Sequence, residues 1–152
     1  MTRILVLQGP NLNLLGTREP HIYGSQTMDQ LQTTISRHAL EQDLEVVFFQ
    51  SNHEGALIDR LHERDFEAAI VNAGGLTHTS VSLRDALLAI GRPFVEVHLS
   101  DPSTREPFRQ VNFLHDIAMT SIVGKGPAGY HEALAYLAAH RDDLPDSHPG
   151  HR

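Results

Sequence analysis

The chain has 152 residues, 40% hydrophobic and 20% charged, which suits one globular domain with its own core and excludes a disordered chain. With 19 Asp and Glu against 12 Lys and Arg, the net charge is -7, which argues against a nucleic-acid binder but not against a local cationic site. No cysteine is present, so disulfides, thiolate nucleophiles and cysteine–zinc sites are excluded.

Ile4 to Leu7 is a continuous apolar run after a polar start, the pattern of a strand buried on both faces. The stretch from Gly9 to Gln26 is far longer than a usual strand-to-helix connection, and it carries Asn11, Asn13, Arg18, His21 and Tyr23. Connections of that length inside a domain are usually lids or binding loops. Thr27 and Gln30 have capping-box spacing ahead of a stripe of Met28, Leu31, Ile35 and Ala39, which predicts a helix. Leu44 to Phe49 reads as the second strand, and Asn52 as the cap of a helix carrying Ala56, Leu57 and Leu61. Ala68 to Val71 is a third strand. A helix with Leu83, Ala86, Leu87 and Ile90 inward follows, stopped by Gly91 and Pro93.

Phe94 to Leu99 is the fourth strand, and a second long connection from Ser100 to His115 carries Arg105 and Arg109. Ser121 to Val123 is a short fifth strand, before a helix with Tyr130, Leu134 and Leu137 that ends near His140. Residues 1–141 are expected to form one domain, and the polar, aperiodic residues 142–152 a C-terminal tail. No apolar run approaches membrane-spanning length, and the first residues run straight into a strand, so a soluble cytoplasmic protein is expected.

Strict alternation of strands and helices implies right-handed crossovers and a parallel sheet with helices on both faces. Five strands point to an α/β, flavodoxin-like, doubly wound arrangement in three layers. Ligand chemistry then belongs at the carboxyl ends of the strands. The first strand ends in Gly9-Pro10-Asn11, the third in Asn72-Ala73-Gly74-Gly75 and the fourth in Glu96-Val97-His98-Leu99-Ser100. One edge thus gathers two amides, a carboxylate, an imidazole and two glycines. The helix after Thr77-His78-Thr79-Ser80 is expected to turn its N-terminus to the same edge and to favour an anion.

Each of these residues has a plainer reading. Asn11 alone is a turn residue, Gly74-Gly75 a tight turn, His98 a hydrogen-bonded core histidine and Tyr23 a packing residue of its loop. Glu96 and His98 share a strand face, so they can be simple charge compensation or an oriented acid. Convergence on one edge favours the functional reading. No G-x-G-x-x-G or P-loop follows the first strand, no H-E-x-x-H occurs among the 11 histidines, and no G-x-S-x-G is present. What remains is acid–base chemistry on an anion, with no cofactor and no metal. A tyrosine base would need a cation nearby, and Arg18 lies in the loop of Tyr23. Lowering a tyrosine by ~2–3 units takes roughly 3–4 kcal/mol, within reach of one desolvated guanidinium plus hydrogen bonds.

The blocks from Gly9 to Pro20, Tyr23-Gly24, Ser51 to Gly55, Asn72 to Ser80, Arg84-Asp85-Ala86, Val95 to Ser100, Arg105-Glu106, Phe108-Arg109 and Gly124 to Tyr130 stand in a specific order. In that order they resemble the type II 3-dehydroquinate dehydratases, over essentially Ile4 to Ala139. The resemblance implies cofactor-independent anti elimination of water from 3-dehydroquinate, through an enolate, to 3-dehydroshikimate. It implies a homododecamer built from trimers, with no nucleic acid or membrane as partner. Tyr23 would be the base, with Arg18 lowering its pKa. Asn11 would help hold the water that stabilises the enolate, and His98 would be the acid, oriented by Glu96. Asn72 and the backbone of Leu99 and Ser100 would hold the substrate carboxylate, beside Gly74. His78 and Arg109 would bind ring hydroxyls, and Asp85 would reach a neighbouring subunit's site.

Leu76, Asp101, Asn112 and Lys125 depart from the commonest pattern of that family. Asp101 and Asn112 flank the substrate-binding stretch, so substrate affinity is the property they put in question. A non-catalytic carboxylate-binding or scaffold protein on the same fold is the alternative, and the presence of Tyr23, Arg18 and His98 together weighs against it.

Overall fold

The computed structural model describes residues 1–17 and 25–145. Five parallel strands form one sheet: β1 (Thr2–Gln8), β2 (Leu44–Gln50), β3 (Ala68–Asn72), β4 (Phe94–His98) and β5 (Thr120–Val123), in the spatial order β2-β1-β3-β4-β5. Among the described residues, four α-helices connect or follow them: α1 (Met28–Glu41), α2 (Glu54–His62), α3 (Val81–Ile90) and α4 (Ala128–Ala139). The expected doubly wound fold is the observed one, with four strands extended by one to three residues and β4 ending at His98, one residue short of the expected Leu99.

Period-two alternation divides the core. Ile4 and Val6 of β1, Ile70 of β3 and Val95 and Val97 of β4 face α1 and α4, where Leu31, Ile35, Leu134 and Leu137 are wholly buried. Leu5, Leu7 and Val71 face the opposite way, onto Leu57 and Leu61 of α2 and Leu83 and Leu87 of α3. Each such side chain contributes roughly 1.5–3 kcal/mol through burial. β2 is half-buried along most of its length because it is an edge strand.

The helix ends follow from local chemistry. Thr27 and Gln30 make the expected capping box on α1, the Thr27 hydroxyl taking the Gln30 N–H and the Gln30 side chain taking the Thr27 N–H. Gly91 closes α3 at φ 67, a conformation glycine adopts freely. The expectation for α2 is corrected: His53, not Asn52, stands at its cap position, without a side-chain capping bond. Asn52 Oδ1 instead accepts the Asn11 N–H at 2.9 Å and so ties the end of β2 to the end of β1.

The long connection after β4 folds into three short 3-10 turns, Pro102–Thr104, Pro107–Gln110 and His115–Ile117. Leu114, Ile117 and Ala118 of this segment join the α2–α3 side of the core. A further 3-10 turn, Arg141–Asp143, follows α4, with Arg141 donating to the Gln42 carbonyl. Most of the expected tail, residues 146–152, lies outside the described residues, as do Arg18 and Tyr23.

Candidate active site

The carboxyl ends of β1, β3 and β4 converge as expected, and two glycines allow it. A Cβ on Gly9 would stand 2.3 Å from the Ala73 carbonyl oxygen, so only glycine lets these strand ends meet. Gly74 has φ 60 and packs against the Pro10 carbonyl. Between them they shape a cleft of about 130 Å3 lined by Asn11, Asn72, Gly74, His78, His98, Leu99, Ser100, Arg105 and Arg109. Of the expected site residues within the described part of the chain, Asn11, Asn72, Gly74, His78, His98, Leu99, Ser100 and Arg109 therefore meet in one place. Glu96 stands behind His98 rather than in the cleft lining, and Asp85 is exposed on the outer side of α3, away from its own chain's cleft.

His98 and Glu96 project to the same side of β4, two residues apart, and both are buried. His98 Nε2 lies 2.7 Å from Glu96 Oε2. Burial, the largest single influence on this carboxyl group, works to raise its pKa. The hydrogen bond and positive charge of His98, with hydrogen bonds from Ser121 and Asn112, outweigh burial and hold it below the ordinary carboxylate range. Glu96 is thus an anion at neutral pH, and the imidazole is oriented with its other ring nitrogen available to the cleft.

The His78 ring lies 6.5 Å from that of His98, nearly parallel. Its Nδ1 stands 2.6 Å from the Val111 carbonyl, so Nδ1 carries a hydrogen and Nε2 is the free position. Arg109 reaches the cleft while its Nε donates to Glu106 at 2.8 Å, a contact that holds the Glu106 carboxyl below its usual range. A 3-10 turn, Gly74–His78, separates β3 from α3. This turn, rather than the N-terminus of α3, faces the cleft, which corrects the expected helix-dipole contribution. The α3 N-terminus is closed by Ser80, whose oxygen accepts the Leu83 N–H and whose hydroxyl donates to Glu54.

Several partners of the site were not legible as such. Gln8 and Asn72 pair across β1 and β3, and Tyr130 of α4 bridges them: its hydroxyl donates to Gln8 Oε1 at 2.8 Å and accepts from Asn72 Nδ2 at 3.0 Å. Burial pushes the Tyr130 phenol well up, so it stays protonated, and Asn72 Oδ1 is left to accept the Gly74 N–H. In sequence Tyr130 reads only as one apolar position of a helix stripe. Asp101 caps its own 3-10 turn by accepting from Ser103 and does not line the cleft. Asn112 also stands away from the cleft and donates to Glu96 Oε2 at 2.8 Å.

The family model for dehydroquinase class II matches residues 2–138. The chain belongs to the class II dehydroquinases. It is accordingly an enzyme of the hydro-lyase class. It is 50% identical over 138 residues to the catabolic 3-dehydroquinase 2 of Aspergillus flavus, covering 90% of this chain and 92% of the relative. It is 53% identical over 137 residues to the 3-dehydroquinate dehydratase of Methylococcus capsulatus, covering 88% and 93%. The crystal structure of the type II dehydroquinase from Propionibacterium acnes superposes with a TM-score of 0.88 at 35% identity, over 91% of this chain and 97% of that one. The family and fold expected from the ordered motif blocks are those found.

Proposed function

We propose that this class II dehydroquinase removes water from 3-dehydroquinate by anti elimination through an enolate, with no cofactor, giving 3-dehydroshikimate. The observation that carries this reading is the buried Glu96–His98 pair opening onto a cleft with two amides, a second imidazole and two guanidinium groups. His98 is the acid: it gives a proton to the departing hydroxyl, its ring held in place by the contact with the Glu96 carboxylate. Tyr23, with its pKa lowered by Arg18, is the base that takes the proton alpha to the ketone. Asn11 holds the water that steadies the enolate oxygen.

The substrate carboxylate is received by Asn72 beside Gly74 and by the backbone of Leu99 and Ser100. His78 and Arg109 bind the ring hydroxyls, His78 through the nitrogen that Val111 leaves free. The subunits assemble as trimers, four to a dodecamer, with Asp85 offered from the outer side of α3 to a neighbour's site. No helix among the described residues is long and apolar enough to cross a membrane.

His98→Asn tests the assignment of the acid. Turnover of 3-dehydroquinate falls by ~100-fold or more, the usual contribution of a positioned acid, while calorimetric binding of the substrate persists. Near-normal turnover in this variant would place the acid elsewhere.

A further inference from the structure

Behind the Glu96–His98 pair the polar chain continues outward. Strand register sets Ser121 of β5 beside Glu96 of β4, and Ser121 Oγ lies 2.6 Å from Glu96 Oε1. A carboxylate only accepts, so the single hydroxyl proton of Ser121 is committed to it. His115 Nδ1 lies 2.9 Å from the same Oγ, and it must therefore be the donor in that contact. Asn112 is fixed just as firmly. Its Oδ1 accepts the N–H groups of Leu114 and His115 at 2.8 and 2.9 Å, which turns its amide nitrogen to Glu96 Oε2.

Glu96 thus receives three donors: His98 beside it on β4, Ser121 of β5 and Asn112 of the connection between those strands. Asn112 both holds the carboxylate and seats the backbone of His115. The His115 side chain is 70% exposed and lies in a second hollow of about 330 Å3, which shares His98 and Arg109 with the cleft. Its Nδ1 is 3.9 Å from Glu96 Oε1.

We propose that Asn112, Ser121 and His115 are positioning residues that fix Glu96 against His98 and set how tightly that acid holds its proton. This deepens the reading of His98 as the acid and rests on it. Each donor to Glu96 takes up part of the negative charge that His98 would otherwise face alone. Loss of a donor leaves a more basic carboxylate, a more firmly held proton and a weaker acid. Protonation of His115 acts in the opposite sense, by adding a cation on the solvent side. Among the described residues, the other charged or titratable groups facing these rings are His78 across the cleft, Asp101, Arg105 and Arg109 from the connection after β4, and Asp116 beside His115. Arg84 of α3 engages Asp116 and limits its pull on His115.

The test follows the His98 ring resonances by NMR against pH, in parallel with pH profiles of kcat, for His115→Leu, His115→Gln and Asn112→Leu. His115→Leu and Asn112→Leu keep His98 protonated to a pH higher by ~0.5 unit or more, and the basic limb of kcat moves by the same amount. Plateau kcat falls ~2–5-fold with KM little changed, as expected for an acid of altered strength. His115→Gln keeps an N–H for Ser121 without a charge and restores most of the wild-type titration. An unchanged His98 titration in both leucine variants, each shown folded by circular dichroism, would overturn the proposal. The NMR arm needs no turnover, so a shifted titration in a protein inactive on 3-dehydroquinate would overturn the reading of His98 as the acid of this reaction and not the coupling of these residues to His98 through Glu96.

Discussion

Glu96 and His98 are neighbours on one face of β4, 2.7 Å apart, and are 1% and 6% exposed. A buried hydrogen-bonded pair of this kind is costly to break from one side, because the remaining partner keeps its desolvation penalty. In Glu96→Gln the His98 ring loses its carboxylate partner, and kcat falls by ~10-fold or more. Stability carries a second signature. The folded-state pKa of Glu96 lies below its unfolded value, so its contribution is fully present above the ordinary carboxylate range. That contribution disappears as pH falls through the lower, folded value. Urea midpoints measured from neutral pH downward therefore decline less steeply for Glu96→Gln than for the wild type. Parallel declines would contradict the assignment.

Tyr130→Phe removes one hydroxyl from the Gln8–Tyr130–Asn72 chain and leaves two buried amides short of a partner. An unsatisfied buried polar group costs about 1–3 kcal/mol, and denaturation midpoints read that loss directly. Because Asn72 lines the cleft, KM for 3-dehydroquinate rises more than kcat falls. A variant of wild-type stability would show that water or rearrangement replaces the hydroxyl.

Gly9→Ala tests the meeting of the strand ends. The added Cβ collides with the Ala73 backbone at 2.3 Å, a group that cannot swing aside. The expected loss is ~2–4 kcal/mol, together with most of the activity, because the cleft is built on this contact. Gly55→Ala, where a Cβ meets nothing within 4 Å, is the control and is neutral or stabilising.

The architecture was readable in sequence because periodicity reports it: the stripe at Leu31, Ile35 and Ala39 and the runs at Ile4–Leu7 and Ala68–Val71 reappear as buried faces. The placement of Asn72, His78 and His98 at one edge followed from topology. Asn52 was misread because capping preference is local, whereas its actual partner, the Asn11 N–H, lies 41 residues away. Asn112, Ser121 and Tyr130 were missed for the same reason: each acts through a partner distant in the chain. Asp101 and Asn112 raised a question about affinity, and the structure sets both aside from the cleft.

Asp85 offers the test of assembly. Ala86 and Leu87 beside it are buried while Asp85 is exposed, and its neighbour Arg84 is engaged by Asp116. On the proposed shared site, mixing Tyr23→Phe subunits with Asp85→Ala subunits, each inactive alone, is expected to restore part of the activity, because some mixed oligomers would contain a site with neither defect. A fully active Asp85→Ala protein, or a normally active monomer by light scattering, would contradict a shared site.

The central claim is that this chain carries out the dehydration with its own side chains. The most direct measurement adds 3-dehydroquinate to purified, exhaustively chelated protein and follows the enone absorbance of the product. Full, sustained turnover without added metal or cofactor is expected, with loss of that turnover in Tyr23→Phe. Activity that disappears on chelation and returns with a divalent metal would contradict it, as would an inert wild-type protein.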